Sequence, residues 1–248
     1  MSGKQRLDVA CVEQRLFESR ERALRAIMAG LVTINGKPAD KAGQAVREGD
    51  VIELVRPDCP YVSRGGFKLK GALDNFKISA KDKVCLDVGV ATGGFTDCFL
   101  QEGAKKVYAV DVGIGQIHEK VKNNPKVVFI PETNARFLKP DLFPEKPGLA
   151  AIDVSFISLK LILGPVFDAI APGAGVVALV KPQFELEPKH LCKGIVKTEG
   201  LRLKAIGDLK EFVFTNIKGV EEKGLMDSPI KGAKGNLEFL WYIIKGLQ

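Results

Sequence analysis

Five cysteines, two histidines, one tryptophan and three methionines in 248 residues leave little material for metal or disulfide chemistry. The cysteines (Cys11, Cys59, Cys85, Cys98 and Cys192) are odd in number and scattered without a CxxC pair. That argues against a disulfide framework or a cysteine zinc site and fits the reduced thiols of a cytoplasm. His118 and His190 stand alone, without metal-ligand spacing. No apolar run approaches the roughly 18 residues of a membrane span, and the opening MSGKQRLDVACVEQRL lacks the apolar centre of a signal peptide. A soluble, cytoplasmic protein without stable membrane association is expected. Acidic excess is missing too: 37 Lys and Arg face 30 Asp and Glu, a formal charge of +7, which suits a polyanionic partner such as nucleic acid.

Residues 1–58 read as a small α+β domain. Ser19 can cap a helix whose apolar positions Leu24, Ile27, Met28 and Leu31 share one face, while Arg15, Arg20, Arg22 and Arg25 project elsewhere and Gly30 is placed to end it. A strand over residues 32–34 then meets Asn35-Gly36, a strong hairpin signal, and another over residues 51–55 follows Gly49-Asp50. This unit resembles an S4 RNA-binding domain, and the resemblance implies RNA contacts at Arg20, Arg22, Arg25 and Lys37. Patterning carries this reading, because residues 1–60 sum to a charge of only +1 and leave +6 to the rest of the chain. A solvated helix face is the plain alternative.

Pro57 and Pro60 in RPDCPY mark a link to a second domain, residues 59–248. Beyond it, YVSRGGFKLKGAL sets Arg64, Lys68 and Lys70 beside the flexible pair Gly65-Gly66 at the entrance of an expected helix, a good place to meet RNA phosphate.

From Val84 onward strands and helices alternate: VCLDVG, FTDCFLQEG, VYAVDVG, VVFIPET, LAAIDVSF, LILGPVFDAIA, GVVALVKPQF, a last helix and two late strands. The pattern predicts a doubly wound α/β sheet, in which ligands sit beyond the carboxyl ends of the strands. Gly89, Gly93 and Gly94 do not have the GxGxxG spacing of the dinucleotide fingerprint. The run holding Asp87, Gly89, Thr92, Gly93, Gly94 and Phe95 instead resembles the first motif of class I S-adenosylmethionine-dependent methyltransferases, which have a Rossmann-like sheet. The resemblance implies that S-adenosylmethionine binds there and leaves as S-adenosylhomocysteine. Glycines let the backbone approach the cofactor's amino-acid part, and a nearby acid opposes its positive groups. Asp111, ending the second strand, lies at the roughly 20-residue distance at which an acid accepts hydrogen bonds from a ribose, although a dehydrogenase would use the same acid. Asn134 in ETNARF resembles the position that meets the adenine or the methyl-donor end, with a capping role as the alternative.

YVSRGGFKL, DVGVATGGFTD, AVDVG, IDVSFISL, ALVKPQFE, SPIKG and KGNLEF stand in order over nearly the whole chain. Together they resemble the TlyA family, ribosomal RNA 2′-O-methyltransferases also called haemolysins, which join an S4 domain to a catalytic domain of the FtsJ/RrmJ type. The resemblance implies rRNA or ribosomal subunits as partner, cytidine as acceptor, and a Lys-Asp-Lys-Glu catalytic set. Matched motif by motif, that set falls on Lys68 in SRGGFKL, Asp153 in AIDVSF, Lys181 in LVKPQFE and Glu238 in GNLEF.

The reaction explains these residue types. A ribose 2′-hydroxyl is a poor nucleophile at neutral pH and must lose its proton as it attacks the methyl carbon in line with the departing sulfur. Lys181 is the expected base and hydroxyl positioner, oriented by Asp153 or Glu238. Burial and the neighbouring Lys68 favour the neutral amine a base requires. Adjacent carboxylates favour the ammonium, which would instead stabilise the developing alkoxide while water carries the proton away. No metal is needed. Around Lys193 the chain reads CKGIVKTEG where the family tends to a glycine-richer loop with a following Arg-Asp, a departure that bears on substrate contact there.

Plainer readings remain open: Lys68 as a solvated phosphate contact, Asp153 as a satisfied strand-end carboxylate, Glu238 on the solvent face of an alternating strand. Phe239, Trp241 and Tyr242 are expected in the core. Two other function classes compete. A membrane-lytic haemolysin finds neither a spanning segment nor a strongly amphipathic free helix in the sequence. A non-catalytic RNA-binding ribosome assembly factor must be reconciled with four intact catalytic positions.

Overall fold

The computed structural model describes residues 4–17, 19–28, 30–54 and 59–246. Val55 of the expected strand, Pro57 of the expected link and the Arg25 side chain lie outside the described residues. The chain divides into two compact units, Met1–Cys59 and Pro60–Gln248.

In the first unit, β1 (Gln5–Arg6) and α1 (Leu7–Glu13) precede α2 (Arg20–Met28), β2 (Val32–Ile34), β3 (Lys37–Pro38), β4 (Ala45–Val46) and β5 (Ile52–Leu54). The strands β3, β2 and β5 form one antiparallel sheet, and β1 pairs with β4. Ser19 Oγ accepts the Arg22 N–H at 3.3 Å, and Asn35 and Gly36 take the left-handed conformations (φ +51° and +75°) that a two-residue hairpin turn of the mirror-image type demands. One expectation needs correction. The face of α2 that enters the core is Ala23, Ala26 and Ile27, whereas Leu24 and Met28 are 39% and 72% exposed. Small alanines let α2 approach Leu7, Ala10 and Cys11 of α1 closely, so the helix is turned toward its alanine side. Buried Asp8 ties the two helices, accepting from Arg6 Nε at 3.0 Å and Arg20 Nη2 at 2.9 Å. The hydrogen bond from Arg6 leads in holding its carboxyl down to about 2 against the opposing effect of burial.

In the second unit, α3 (Gly65–Asn75) is followed by β6 (Val84–Val88), α4 (Gly94–Gln101), β7 (Lys106–Val110), α5 (Glu119–Lys122), β8 (Val127–Ile130), β9 (Leu149–Ile152), α6 (Leu163–Ala169), β10 (Gly175–Val180), α7 (Pro182–Glu185), α8 (Glu199–Asn216), β11 (Val220–Asp227) and β12 (Phe239–Lys245). The sheet runs β11-β12-β10-β9-β6-β7-β8, with β10 to β8 parallel and β12 antiparallel to both its neighbours. The near-continuous apolar runs of β6 and β10 follow from burial on both faces. Val176, Ala178 and Val180 pack toward the core of α6 and α8, and Val177 and Leu179 toward that of α3 and α4. The chain builds outward from β6 to β7 and β8, then crosses to β9 on the other side. The strand order therefore reverses between β6 and β9, and the crevice beyond their carboxyl ends is where a ligand belongs.

Candidate active site

The turn after β6 passes through Gly89 (φ +89°), Ala91 (φ +47°) and Gly93 (φ +96°) before α4. A Cβ on Gly89 would overlap the Asp153 carbonyl, and one on Gly94 would overlap Ser63 Oγ, so the turn can lie this close to its neighbours only with glycine at both places. Asp111 fastens it: Oδ2 accepts the Ala91 N–H at 2.8 Å and Oδ1 the Gly113 N–H at 2.7 Å. A carboxylate has about four lone-pair sites, so acceptor capacity remains for a ribose. Exposed Thr92 accepts the His118 N–H through its carbonyl at 3.1 Å, and buried Phe95 packs into the α3–α4 core.

Asp87 is fully buried. Its Oδ2 accepts the Thr96 hydroxyl at 2.6 Å, while Oδ1 has no partner, and burial above all pushes the carboxyl up to about 7. An orphaned acidic oxygen two residues before Gly89 fits a cationic ligand group such as the amino end of S-adenosylmethionine. Beside the turn lies a cavity of about 530 Å3 lined by Gly89, Asp111, Gln116, Asn134, Ile157 and Ile162 among others, within the range of small-molecule sites. Asn134 lines this cavity and accepts the Arg136 N–H at 3.1 Å to cap a short 3-10 turn.

Across Gly89 the four scattered charged residues meet. Asp153 follows β9 and Lys181 follows β10. Because β12 runs antiparallel to β10 with Phe239 opposite Val180, Glu238 at the entrance of β12 lies at the same rim. Lys68 reaches in from the first turn of α3. Lys181 Nζ lies 2.6 Å from Asp153 Oδ1 and donates to Ser155 Oγ at 2.8 Å. Lys68 Nζ lies 2.7 Å from Glu238 Oε2 and 3.9 Å from Asp153 Oδ2. Glu238, Lys68, Asp153 and Lys181 thus alternate in sign, each charge offsetting the desolvation of the next. Glu238, Lys181 and Lys68 are only 3%, 6% and 9% exposed, so the solvent-face reading of Glu238 does not hold. A Cβ on Gly232 would overlap its carboxylate. All four line a cavity of about 370 Å3 that shares Gly89, Ala91, Asp153, Ser155 and Phe156 with the larger one.

Several residues that hold this geometry escaped the sequence. Buried Asp97 accepts from the Val62 N–H at 2.9 Å and Lys120 Nζ at 3.1 Å, clamping the entry to α3 onto α4. Glu185 accepts the Ser158 hydroxyl at 2.5 Å and the Leu159 N–H at 2.8 Å, which joins the segment after β9 to that after β10; burial pushes its carboxyl up. Asn236 accepts from the Val196 N–H at 3.1 Å and donates to the Gly194 carbonyl at 3.0 Å, tying the approach to Glu238 to the loop around Lys193. Glu185 and Asn236 sit inside KPQFE and KGNLEF, one turn or two residues from a catalytic candidate, so their signal was proximity. At the mouth, Phe156 has φ +64° and is 91% exposed, tilted against Phe184 at 5.2 Å between ring centres.

The candidate RNA contacts divide by exposure. Arg22, Lys37 and Arg64 are exposed, and Arg20 keeps 60% of its side chain accessible although it pairs with Asp8. Lys70 is already engaged by Asp74 at 2.8 Å and Glu102 at 3.0 Å, which raise its pKa. Among the described residues no group of three or more His, Cys, Asp or Glu side chains is placed to hold a metal ion, and no helix is long and apolar enough to cross a membrane.

A doubly wound sheet with a glycine turn at its switch point and a Lys-Asp-Lys-Glu rim beside it defines an S-adenosylmethionine-dependent methyltransferase. Residues 61–245 match the FtsJ-like methyltransferase family and residues 5–52 the S4 domain. The chain is 45% identical to YqxC of Bacillus subtilis, over 98% of its own length and 86% of the relative's. It is 38% identical to the 16S/23S rRNA (cytidine-2'-O)-methyltransferase TlyA of Mycobacterium tuberculosis, over 97% and 90% of the two chains. A solved structure from Streptococcus thermophilus is 44% identical, with a TM-score of 0.78 over 98% of this chain and 89% of that one. This chain belongs to the TlyA family of FtsJ-like methyltransferases, and the fold and family imply use of S-adenosylmethionine.

Proposed function

We propose that this protein transfers the methyl group of S-adenosylmethionine to the ribose 2′-hydroxyl of a cytidine in ribosomal RNA, acting on ribosomal subunits in the cytoplasm. The observation that carries this reading is the alternating Glu238–Lys68–Asp153–Lys181 chain in a cavity that shares Gly89 and Asp153 with a nucleoside-sized one. The cytidine assignment follows the relative from Mycobacterium tuberculosis.

S-adenosylmethionine supplies an electrophilic methyl carbon when bound. Asp87 and the main chain of the Gly89 to Phe95 turn, which includes Thr92, Gly93 and Gly94, suit its amino-acid end; Asp111 suits its ribose and Asn134 its base. The acceptor hydroxyl would enter the smaller cavity against Lys181. Of the two roles open to Lys181, its ion pair with Asp153 and its bond to Ser155 favour a fixed cation that stabilises the oxygen as its proton leaves to water. Lys68, itself paired with Glu238, faces Asp153 from the other side, and the reaction needs no metal. Residues 1–58, through Arg20, Arg22, Arg25 and Lys37, would hold folded rRNA while 59–248 catalyse, with Arg64 and Lys70 meeting phosphate at the entrance to α3.

The test uses labelled S-adenosylmethionine and ribosomal subunits lacking the modification. The wild type is expected to label rRNA, and Lys181→Ala to bind the cofactor normally while transfer falls by about 10²–10⁴. Equal transfer by Lys181→Ala would remove the lysine from the mechanism.

A further inference from the structure

We infer that Gln183 reads the base of the acceptor nucleotide, which rests on the RNA reading above. Gln183 is the second residue of α7, two residues after Lys181, and is 8% exposed. Among the described residues its side-chain amide makes no hydrogen bond, and Oε1 is buried without a partner. The four charged side chains of the catalytic cavity are all paired. A buried amide left unpaired destabilises a fold, so a merely structural side chain here would be apolar.

Its position says what could satisfy it. Gln183 borders the catalytic cavity and also an adjoining groove of about 580 Å3, whose walls include Arg136, Phe156, Phe184 and Leu191. It does not border the cavity of Asp111 that suits the cofactor's nucleoside. The groove meets that cavity at Asn134, Phe156 and Ile157, whereas Gln183 and Phe184 line it together with the catalytic cavity and not with the cofactor's, and on this ground the missing partner is assigned to the acceptor. A nucleotide whose 2′-oxygen rests against Lys181 must carry its base to one side of that cavity, and the groove opens at Gln183. The edge of cytosine sets an amino donor next to a ring-nitrogen acceptor, a pair that a primary amide complements with its own carbonyl and NH2. Rotation about the last side-chain torsion lets the amide meet them, and the opposite rotamer meets the carbonyl and ring N–H of uracil equally well, so the amide recognises a pyrimidine edge rather than cytosine alone. A glutamate at this position, accepting only, could take one donor from either base but would face an acceptor beside it.

The experiment compares wild type, Gln183→Leu and Gln183→Glu with ribosomal subunits lacking the modification, and with rRNA transcripts carrying cytidine or uridine at the mapped acceptor position. For Gln183→Leu the expected results are cofactor Kd within twofold of wild type, a Tm no lower than wild type, kcat/KM for the cytidine transcript lowered ten- to a hundredfold, and any transfer to the uridine transcript lowered by a similar factor. Gln183→Glu, which keeps one of the two bonds, is expected to fall between the wild type and Gln183→Leu in kcat/KM. A leucine variant whose kcat/KM stays within twofold of wild type overturns the inference and leaves the functional reading intact, as does a loss that runs parallel to lost cofactor affinity. Absence of transfer by the wild type, despite cofactor binding, overturns the RNA reading and this inference with it.

Discussion

The two cavities that share Gly89 and Asp153 are built from different material. Toward β7 the wall is main chain, bent through three left-handed residues and fastened by Asp111. Toward β10 and β12 it is side-chain charge, four groups drawn from four separate elements into one alternating chain. A wall of main chain tolerates changes of side chain but not of backbone conformation. A wall of buried charge is the reverse: each member depends on its neighbour to offset lost hydration.

That contrast predicts different failures. Removing one member of the charged chain has the largest expected effect: Lys68→Met leaves Glu238 buried and unpaired, and chemical denaturation is expected to show a loss of about 3–5 kcal/mol. Adding Glu238→Gln to that variant should recover part of the loss, and a simple sum of the two single effects would mean that they are not coupled. On the main-chain side, Gly89→Val forces a β-branched residue to φ +89° and its Cβ into the Asp153 carbonyl. Backbone strain alone should cost about 1–3 kcal/mol, with cofactor binding abolished in calorimetry.

A smaller effect concerns pH. Asp87 titrates near 7 in the fold, above its unfolded value, so the folded protein binds the extra proton between about 4 and 7. The stability linked to this group is fully present below that window and is lost as pH rises through 7. Denaturant midpoints measured from pH 5 to 8 should fall for the wild type and flatten for Asp87→Asn; an unchanged slope would remove Asp87 as its source. The smallest effect separates two cations at the entrance of α3. Arg64→Ala should lower the salt slope of RNA binding by about 0.7–0.9, one phosphate contact, and Lys70→Ala by less, because Asp74 and Glu102 already hold it.

The same contrast explains what could be read from the sequence. The glycine turn is local, so Gly89, Gly93 and Gly94 announced it within a few residues, and the alternation of strands and helices announced the sheet. The charged wall spans positions 68 to 238, and spacing alone could not join them; motif resemblance named the four, and the antiparallel entry of β12 beside β10 explains how Glu238 arrives. Leu24 and Met28 belong to an apolar stripe yet lie exposed, because a stripe shows which residues share a face but not which face a partner helix will choose. Asp97, Glu185 and Asn236 act through backbone groups distant in sequence, and such partners leave no periodic trace.

The central claim is that the two walls together methylate a ribose. The most direct measurement is a single-turnover reaction of the wild type with labelled S-adenosylmethionine and unmodified ribosomal subunits, followed by nuclease digestion and mass analysis of the labelled nucleoside. The account predicts one cytidine carrying its new methyl group on the sugar, at a site resistant to alkaline cleavage. A methyl group on the base, or label on protein and none on RNA, would contradict it.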